Sequence, residues 1–419
     1  MKKSNQWFRL DNAAKIFPPT CSKRDTKVFR FVCELKEPVD QIILQHALDK
    51  TVEVFPLYNS VLKKGIFWYY LEESDIKPQV FEENIPACAP LYDSYNHRLL
   101  FRVSYYKKRI NLEVFHSLSD GTGAIQFLKT MVYYYLEERH NIKIMTSNDF
   151  TSLSQKNADA FSKYYDKSET IKKHGVYKKA HIIKGERIPK NNVSIIEGIM
   201  PSSAVLRLAH ENNATFTEFL IADLICSIYD NMTTREKRRP IIINVPVNLR
   251  QFFPSETTRN FFCVINVEYT ADKSECDFAD VIKKVKLAFE SQLTKDNIQG
   301  IINKFSVIEN NPVVRVIPLL LKIPIMRFSS YLADCKNTSS FSNLGRIDIH
   351  ENAAEYINMF DVFVKAKRPQ MCCCTFGDKL AIGVSSPLVS KEIERSFFCR
   401  LADMGVDVQI ISNLSQFEM

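Results

Sequence analysis

The sequence predicts an α+β fold with two domains, and three observations favour it. Runs with the two-residue period of strands alternate with runs of helical spacing, but without the steady βαβ rhythm of a doubly wound sheet. The second half of the chain restarts the succession of helices and strands that the first half shows. At 419 residues the chain is also longer than the size at which a single hydrophobic core stops growing.

The first half contains runs whose periodicity indicates their type. Phe29–Leu35 is predicted as a strand, and Val39–Val54 as a helix because apolar residues recur there every three or four positions. Gly65–Leu71 is aromatic and is predicted as a third strand-like run. The strand runs Leu99–Tyr106 and Ile110–Phe115 flank a basic turn, so together they predict a hairpin.

Helices and strands also alternate in the second half. Ser202 or Ser203 is predicted to cap the first of its helices. The predicted helices are the one ending near Asn212-Asn213, Thr217–Tyr229, Phe278–Leu293 and Ser390–Met404. The predicted strands are Pro240–Val247, Phe261–Tyr269, Ser339–Asn343, Tyr356–Val364, Met371–Phe376, Leu380–Ser385 and Asp407–Ile411.

The two halves are separated by a polar, weakly patterned run, Ser147–Asn192, which we interpret as a loop and crossover. The predicted domains are therefore residues 1–170 and residues 171–419. Charge adds little to this division, because 56 basic residues against 48 acidic ones give a net charge of only +8. The basic residues form short clusters that are typical of solvated turns, and we find no nucleic-acid-binding motif. No nucleic-acid partner is expected.

The eleven cysteines indicate free thiols rather than a disulfide framework or a metal site. No CxxC pair occurs in the sequence. Cys372, Cys373 and Cys374 are contiguous in a strand-like run, where neighbouring side chains point to opposite faces, so they cannot form one compact metal site. Free buried thiols are typical of a reducing compartment, so we predict a cytoplasmic protein. The N-terminus also lacks the apolar region of a signal peptide.

The most apolar stretch is Val313–Met326. It is short for a bilayer span and contains Arg315, Pro318, Lys322 and Pro324, so no transmembrane segment is expected. We predict a pair of core helices or the wall of a tunnel, and interfacial contact with a membrane is the alternative.

His116 is the candidate catalytic base. Of the eight histidines, only this one is followed four residues later by a carboxylate, Asp120. It comes at the end of an aromatic strand, and Gly121-Thr122-Gly123 with an apolar helix follows, an order that presents side chains at a cleft. Imidazole suits general-base work because its pKa lies near neutral pH. On the residue pattern alone, a structural histidine packed beneath a turn is an equal alternative.

Asp120 has two possible roles. It orients His116, or it is a structural anion paired with a distant arginine, since a buried carboxylate needs such a partner. Arg250, which ends the strand Asn244–Arg250, is the candidate partner, and the alternative for it is a cap or a surface pair.

Ser342 and Asn343 end a later strand at the turn Ser342-Asn343-Leu344-Gly345. Hydroxyl, amide and backbone N–H groups there are suitable donors to an oxyanion, although the same residues are ordinary in turns. The sequence has no P-loop, no dinucleotide-binding glycine motif, no nucleophile elbow and no zinc-protease motif. We expect no metal.

Taken together, these segments resemble a known superfamily. Phe115-His116-Ser-Leu-Ser-Asp120-Gly121 resembles the central motif of the chloramphenicol acetyltransferase-like superfamily, which includes condensation domains of peptide synthetases and alcohol O-acetyltransferases. Val245–Arg250, with Arg259-Asn260-Phe261 after it, resembles the condensation-type segment whose arginine pairs with the motif aspartate. Ser342–Gly345 is similar to the strand lining the channel. Trp7–Pro18 and Phe67–Glu72 resemble the bacterial alcohol acetyltransferase-like branch.

The resemblance implies two chloramphenicol acetyltransferase-like α/β sandwich domains with a channel between them. It implies that His116 is the base, that Asp120 and Gly121 belong to the motif, and that Arg250 supports the site through Asp120. The implied reaction moves an acyl group, acetyl in the simplest case, from acyl-CoA as co-substrate to an alcohol or amine, with no tightly bound cofactor. A monomer is expected.

Two alternatives to this reaction remain open. A carrier protein is the alternative donor, with Arg235–Arg239 as its docking patch. A catalytically degenerate binding protein is the other. Where peptide-forming condensation domains have two adjacent histidines, this chain has Phe115 in the first position, which argues against that subclass.

Overall fold

The computed structural model describes residues 6–144, 158–166, 179–271 and 276–413. These residues form three β-sheets covered by helices. The strands are β1 Trp7–Arg9, β2 Val28–Leu35, β3 Ser60–Lys64, β4 Tyr69–Glu73, β5 Val80–Glu82, β6 Phe101–Tyr106, β7 Arg109–Phe115, β8 Ser194–Pro201, β9 Ile241–Asn248, β10 Phe262–Tyr269, β11 Ser339–Arg346, β12 Ile357–Val364, β13 Gln370–Phe376, β14 Lys379–Ser386 and β15 Gln409–Ser412. The helices are α1 Phe17–Thr20, α2 Gln41–Val54, α3 Gly121–His140, α4 Ala160–Lys163, α5 Ser202–Glu211, α6 Phe216–Asp230, α7 Phe278–Gln292, α8 Lys295–Asn310, α9 Pro312–Val316, α10 Leu319–Asp334, α11 Glu351–Ala354 and α12 Glu392–Asp403.

The first lobe is built on a five-stranded sheet with the order β12-β2-β7-β6-β5. The predicted hairpin is present as antiparallel β6 and β7, and Lys107 in its turn has the left-handed φ of 52°. Helices α2 and α3 pack together, and their apolar faces join the sheet in one core. Asp40 caps α2 by accepting from the backbone N–H groups of Ile42 and Ile43.

The second lobe is built on a seven-stranded sheet with the order β10-β9-β11-β13-β14-β8-β15. Helix α6 is buried along nearly its whole length, as a continuously apolar helix must be, and it packs between α7 and α12. Thr215 and Glu218 form a reciprocal capping box at its start, so the orphan N–H groups of the first turn are satisfied.

The two lobes share a strand. β12 comes late in the chain, yet it pairs antiparallel with β2 and completes the sheet of the first lobe. The adjacent β13 serves both cores, because Cys372 and Cys374 face the first core while Cys373 faces the second. This alternation confirms that the three cysteines do not converge, and all three thiols are free.

The division at residues 170 and 171 lies outside the described residues and stays a prediction. Half of the run Ser147–Asn192 also lies outside the described residues, and within its described half residues 158–166 contain the short helix α4.

The sequence prediction fails in two local places. Gly65–Leu71 is not one strand, since its first four residues form the turn between β3 and β4, closed by a hydrogen bond from Gly65 N to Trp68 O at 3.0 Å. A Cβ at Gly65 would lie 2.7 Å from that oxygen. Ser202 and Ser203 do not cap α5, because Pro201 holds the cap position and both hydroxyls donate to Asp378.

The prediction of a core location for Val313–Met326 is wrong. Within the stretch only Leu319 and Lys322 are buried. Leu319 N donates to Ile66 O, and Lys322 Nζ donates to Phe67 O, so one side of α10 is held against the β3–β4 turn. The large apolar side chains that stay more than half exposed are Val313, Val316, Leu320, Leu321 and Ile325. Among the described residues, no helix is both long and apolar enough to cross a membrane.

Candidate active site

His116 lies directly after β7, at the boundary between the lobes. Its backbone N–H donates to Lys27 O at 2.8 Å, which continues the pairing of β7 with the segment before β2. Three aromatic rings surround the imidazole: Phe17 stacks on it at 4.6 Å, and Phe29 and Phe262 lie 4.9 and 5.5 Å away. The ring is half-buried, and its orientation is fixed by apolar contacts on several sides.

A hydrogen-bonded chain of three residues assigns the tautomer of His116. Asn260 Nδ2 donates to Asp11 Oδ2 at 3.2 Å and to the backbone oxygen of His116 at 2.9 Å, so the amide oxygen of Asn260 must be the atom that faces the ring. His116 Nδ1 lies 3.2 Å from this oxygen. An amide oxygen can only accept, so Nδ1 carries the proton and the lone pair is on Nε2.

Burial lowers the pKa of His116 below its ordinary value of 6.5, and the hydrogen bond to Asn260 opposes part of that effect. The imidazole is therefore neutral at neutral pH. Burial acts in the opposite direction on the third member of the chain, because it raises the pKa of Asp11, against the lowering effect of Arg259.

Asp120 is an architectural anion at the start of α3. Its Oδ1 accepts from Gly123 N at 3.0 Å and caps the helix, and its Oδ2 accepts from Phe261 N at 2.9 Å. Arg250 donates to both oxygens, with Nη1 2.8 Å from Oδ2 and Nη2 3.3 Å from Oδ1. The bonds to Arg250 and Phe261 lead to the second lobe, and His116 is not among the hydrogen-bond partners of Asp120, so the geometry matches the second of the two roles considered for Asp120.

Arg250 is held as firmly as the carboxylate that it meets. Nη2 also donates to the backbone oxygens of Thr257 and Arg259, each at 2.8 Å. The side chains of Arg250 and Asp120 are only 10% and 6% exposed, so solvent screens their attraction weakly. The pair therefore fastens the loop that follows His116 to the loop between β9 and β10.

Two glycines allow the lobes to approach closely at this junction. A Cβ on Gly123 would fall inside the contact distance of the Thr258 backbone oxygen, so only glycine fits. A Cβ on Gly121 would lie 2.7 Å from a methyl group of Leu344, the flexible end of a side chain. Gly121 thus places the motif loop beside the turn after Asn343.

Ser342 and Asn343 lie on β11, where the register with β13 shifts after Asn343. The Asn343 amide is already engaged, since its Oδ1 accepts from Gly345 N at 2.8 Å and its Nδ2 donates to Thr217 Oγ1 at 2.9 Å. One amide hydrogen remains on Nδ2. Gly345 has a φ of +75°, the left-handed value that favours glycine at this turn.

A cavity of about 350 Å³ joins these groups and takes its walls from both lobes. The lining includes Phe29, Phe31, His116, Asp120, Gly121 and Thr122 from the first lobe, and Thr217, Val245, Asn248, Phe262, Ser342 and Asn343 from the second. Arg250 lies behind Asp120 and not on the cavity wall. A separate, larger cavity of about 620 Å³ lies beside Trp7, Trp68 and Arg315 and contains none of the predicted site residues.

Comparison with solved structures identifies the fold. TRI101 of F. sporotrichioides, solved with coenzyme A and T-2, superimposes with a TM-score of 0.63 at 12% identity, over 93% of this chain and 97% of that one. TRI3 trichothecene 15-O-acetyltransferase from Fusarium sporotrichioides gives 0.60 at 8% identity, over 95% and 94%. The first condensation domain of the CDA synthetase gives 0.58 at 12% identity, over 98% and 100%.

The chain has the condensation-domain fold. This confirms the fold class implied by the resemblance, with two sheet-rich lobes and a cavity between them. At such low identity, the condensation-domain fold is what the proteins share. No family model matches the sequence, and no curated protein matches it.

Sequence reasoning missed Asn260 and Asp11 as parts of the site. Asn260 stands in the quoted segment Arg259-Asn260-Phe261, but no signal distinguished its amide from the others. Asp11 is 249 residues from Asn260 along the chain, and only the fold brings them together. Thr217 was predicted simply as the start of a helix, yet it contacts Asn343 on the cavity wall.

Proposed function

We propose that the protein is an acyltransferase that moves an acyl group, acetyl in the simplest case, from a CoA thioester to an alcohol, with His116 as the general base. The observation that carries the proposal is the state of His116. Its Nδ1 is held by Asn260, its Nε2 has the lone pair, and its ring lines the cavity between the lobes. A neutral imidazole of fixed tautomer at a cavity is what proton abstraction from an acceptor hydroxyl requires.

The proposed reaction has two stages. His116 Nε2 takes the proton of the acceptor hydroxyl while the oxygen attacks the thioester carbonyl. A tetrahedral intermediate forms and then expels the CoA thiolate, which takes the proton back from the imidazolium. No nucleophilic side chain is needed, and Asp120 acts only by holding the loop after His116 in place through Arg250.

Three groups on the opposite wall are proposed to stabilise the oxyanion. They are the Ser342 hydroxyl, the remaining amide hydrogen of Asn343, and the hydroxyl of Thr217, which accepts from Asn343 and keeps its own hydrogen to donate. Neutral donors already fixed in position suit this role, because they need little reorganisation as charge develops.

The proposed donor and acceptor follow the chemistry named for two of the similar structures. TRI101 was solved with coenzyme A and T-2, a small-molecule ligand, and TRI3 is described as an O-acetyltransferase. The rival donor is an acyl carrier protein. The similarity to a condensation domain and the exposure of Arg235, Arg238 and Arg239 favour it, since a basic patch suits an acidic carrier.

The test is the replacement His116→Ala. We expect kcat/KM for acetyl-CoA and a panel of alcohols to fall by roughly 10²–10⁴-fold, the usual contribution of a positioned base. His140→Ala is the matched control, because His140 also stacks on an aromatic ring, Tyr356 at 3.9 Å, but is not among the residues that line the cavity. Full turnover by His116→Ala refutes the mechanism. Turnover with acylated carrier protein and none with free acyl-CoA assigns the rival donor.

The pH profile gives an independent reading. Because burial lowers the pKa of His116, the acid limb of kcat/KM should lie below pH 6.5, with a plateau through neutral pH. Activity is lost as the pH falls and the imidazole takes up its second proton. An acid limb centred above pH 7 would contradict the assignment of His116 as the titrating base.

Asn260 is a positioning residue in this proposal. Asn260→Ala should lower kcat by roughly 10²-fold, because a misplaced ring loses its alignment with the acceptor. Since the Asn260 hydrogen bond raises the pKa of His116, its removal should also move the acid limb to lower pH. A purely structural role would lower the yield of folded protein and leave the position of that limb unchanged.

A further inference from the structure

Two cysteines outside the candidate site lie in contact with each other. Cys226 is on α6 and is 1% exposed, and Cys276 is partly exposed just before α7. They are fifty residues apart in the sequence, yet their Sγ atoms are 3.2 Å apart. Most of the other cysteines are buried thiols that burial makes unreactive, including Cys33 and Cys373.

We propose that Cys226 and Cys276 form a reversible disulfide by exchange with a low-molecular-weight disulfide such as oxidised glutathione. The bond needs only a small approach of two sulfur atoms that already touch. In a reducing compartment such a pair is expected to be transient and to respond to the redox state. The proposal does not depend on the acyl-transfer reaction.

The surroundings give the two thiols different roles. The hydrogen bond between the two thiols lowers the pKa of Cys276, and partial burial opposes it. The Tyr269 hydroxyl and the positive charge of Arg400 also lower the pKa of Cys276. The same hydrogen bond, together with burial, raises the pKa of Cys226. Cys276 is partly exposed and Cys226 is 1% exposed, so a dissolved disulfide reaches Cys276 first. Cys276 is therefore the attacking thiol, in its nucleophilic thiolate form, and Cys226 is the resolving thiol.

The exchange balances in two steps. The Cys276 thiolate attacks one sulfur of oxidised glutathione, the S–S bond breaks, and one glutathione leaves as a thiolate that takes up a proton. Cys226 then loses its proton and attacks Sγ of Cys276, which releases the second glutathione. The two protein thiols lose two electrons, and one oxidised glutathione becomes two reduced ones.

The bond would join the middle of α6 to the start of α7. Both helices contribute to the cavity between the lobes, because α7 carries Phe289 and the first turn of α6 carries Thr217. The link closes a long loop and so restricts the unfolded chain, and we expect oxidation to raise Tm by a few degrees. Reduction should reverse the change.

The experiment is peptide mapping of the full-length protein after incubation with oxidised glutathione, with free thiols blocked by alkylation. Trypsin leaves Cys226 in the peptide of residues 208–235 and Cys276 in that of residues 274–283, each with one cysteine. The expected product is a linked pair with the summed mass less two hydrogens, which disappears on reduction. Exposed Cys399 reports whether the reagent reacted.

Variants separate the two thiols. Cys226→Ser should leave a stable glutathione adduct on Cys276, and Cys276→Ser should lose both the linked peptides and the rise in Tm. Cys399→Ser, the matched control, should keep both. If Cys399 is glutathionylated in the wild-type chain while peptides 208–235 and 274–283 stay unlinked, the proposal is wrong. It is also wrong if oxidation raises Tm equally in Cys276→Ser.

Discussion

Two of the buried carboxylate–arginine pairs in the described residues are satisfied to different degrees. Asp120 meets Arg250 with both oxygens and also accepts two backbone N–H bonds. Asp223, on α6, accepts from Arg400 Nε at 2.7 Å through Oδ1, while its Oδ2 has no hydrogen-bond partner in the part of the chain that the structure describes. The first pair lies at the lobe junction, and the second lies within one lobe.

The two carboxyl groups differ in how many hydrogen bonds they accept, and this matters for Asp223. Burial raises the pKa of Asp223 to about 7, with Arg400 only partly opposing it, so this carboxyl takes up a proton near neutral pH. Asp120 instead accepts four hydrogen bonds, two from backbone N–H groups and two from Arg250. Asp120, which joins the two lobes, thus has both of its oxygens hydrogen-bonded. Asp223, which lies within one lobe, has only one oxygen hydrogen-bonded among the described residues.

The largest expected effect is the loss of one arginine. Arg250→Met should lower the free energy of unfolding by roughly 3–5 kcal/mol, because it removes one partner of a buried ion pair and two of the four hydrogen bonds to Asp120. Arg400→Met should cost less than half as much, since Asp223 can become neutral by binding a proton. Urea unfolding at pH 7 measures both, and equal losses would remove the distinction between the pairs.

A smaller effect is expected from the glycines that hold the Asp120 loop. Gly123→Ala forces the loop away from the Thr258 oxygen and breaks the N–H bond to Asp120, at a cost of roughly 1–3 kcal/mol. Gly121→Ala should cost less, because a side-chain methyl of Leu344 can move aside. Thermal denaturation of the two variants compares them, and the reverse order would show that the loop can yield at Gly123.

The last prediction concerns how the stability of Asp223→Asn depends on pH. The folded pKa of Asp223 is raised, so the folded state binds the proton more tightly and stability falls as the pH rises from about 4 to about 7. The slope from one proton is at most about 1.4 kcal/mol per pH unit. The variant lacks this slope, and its stability relative to wild type should improve across that window. Parallel curves would show that Asp223 does not titrate there.

Local signals explain which parts of the fold the sequence predicted. Most strands and the long helices were placed within a few residues, because their periodicity is carried by adjacent side chains. His116, Asp120 and Arg250 were predicted through short segments in a familiar order, and the contact between Asp120 and Arg250 is present at 2.8 Å. Their catalytic and supporting roles stay predictions until they are measured.

The failures have physical causes as well. Apolar content alone does not say whether a helix has a partner, so the exposed side of α10 was taken for core. The chain of Asp11, Asn260 and His116 joins three distant segments, and no local pattern encodes such a meeting. The turn that begins at Gly65 was missed because its aromatic residues continue without a break into those of β4, and the whole run was taken as one strand.

The position of β12 has a consequence for how the chain is made. β2 is buried along almost its whole length, and one of its two edges is hydrogen-bonded to β12, residues 357–364. The ribosome has made more than four fifths of these 419 residues before that edge can be covered, and an open edge of this kind recruits other strands. The five-stranded sheet, whose other four strands lie within residues 28–115, is thus completed only after residues 357–364 have been made.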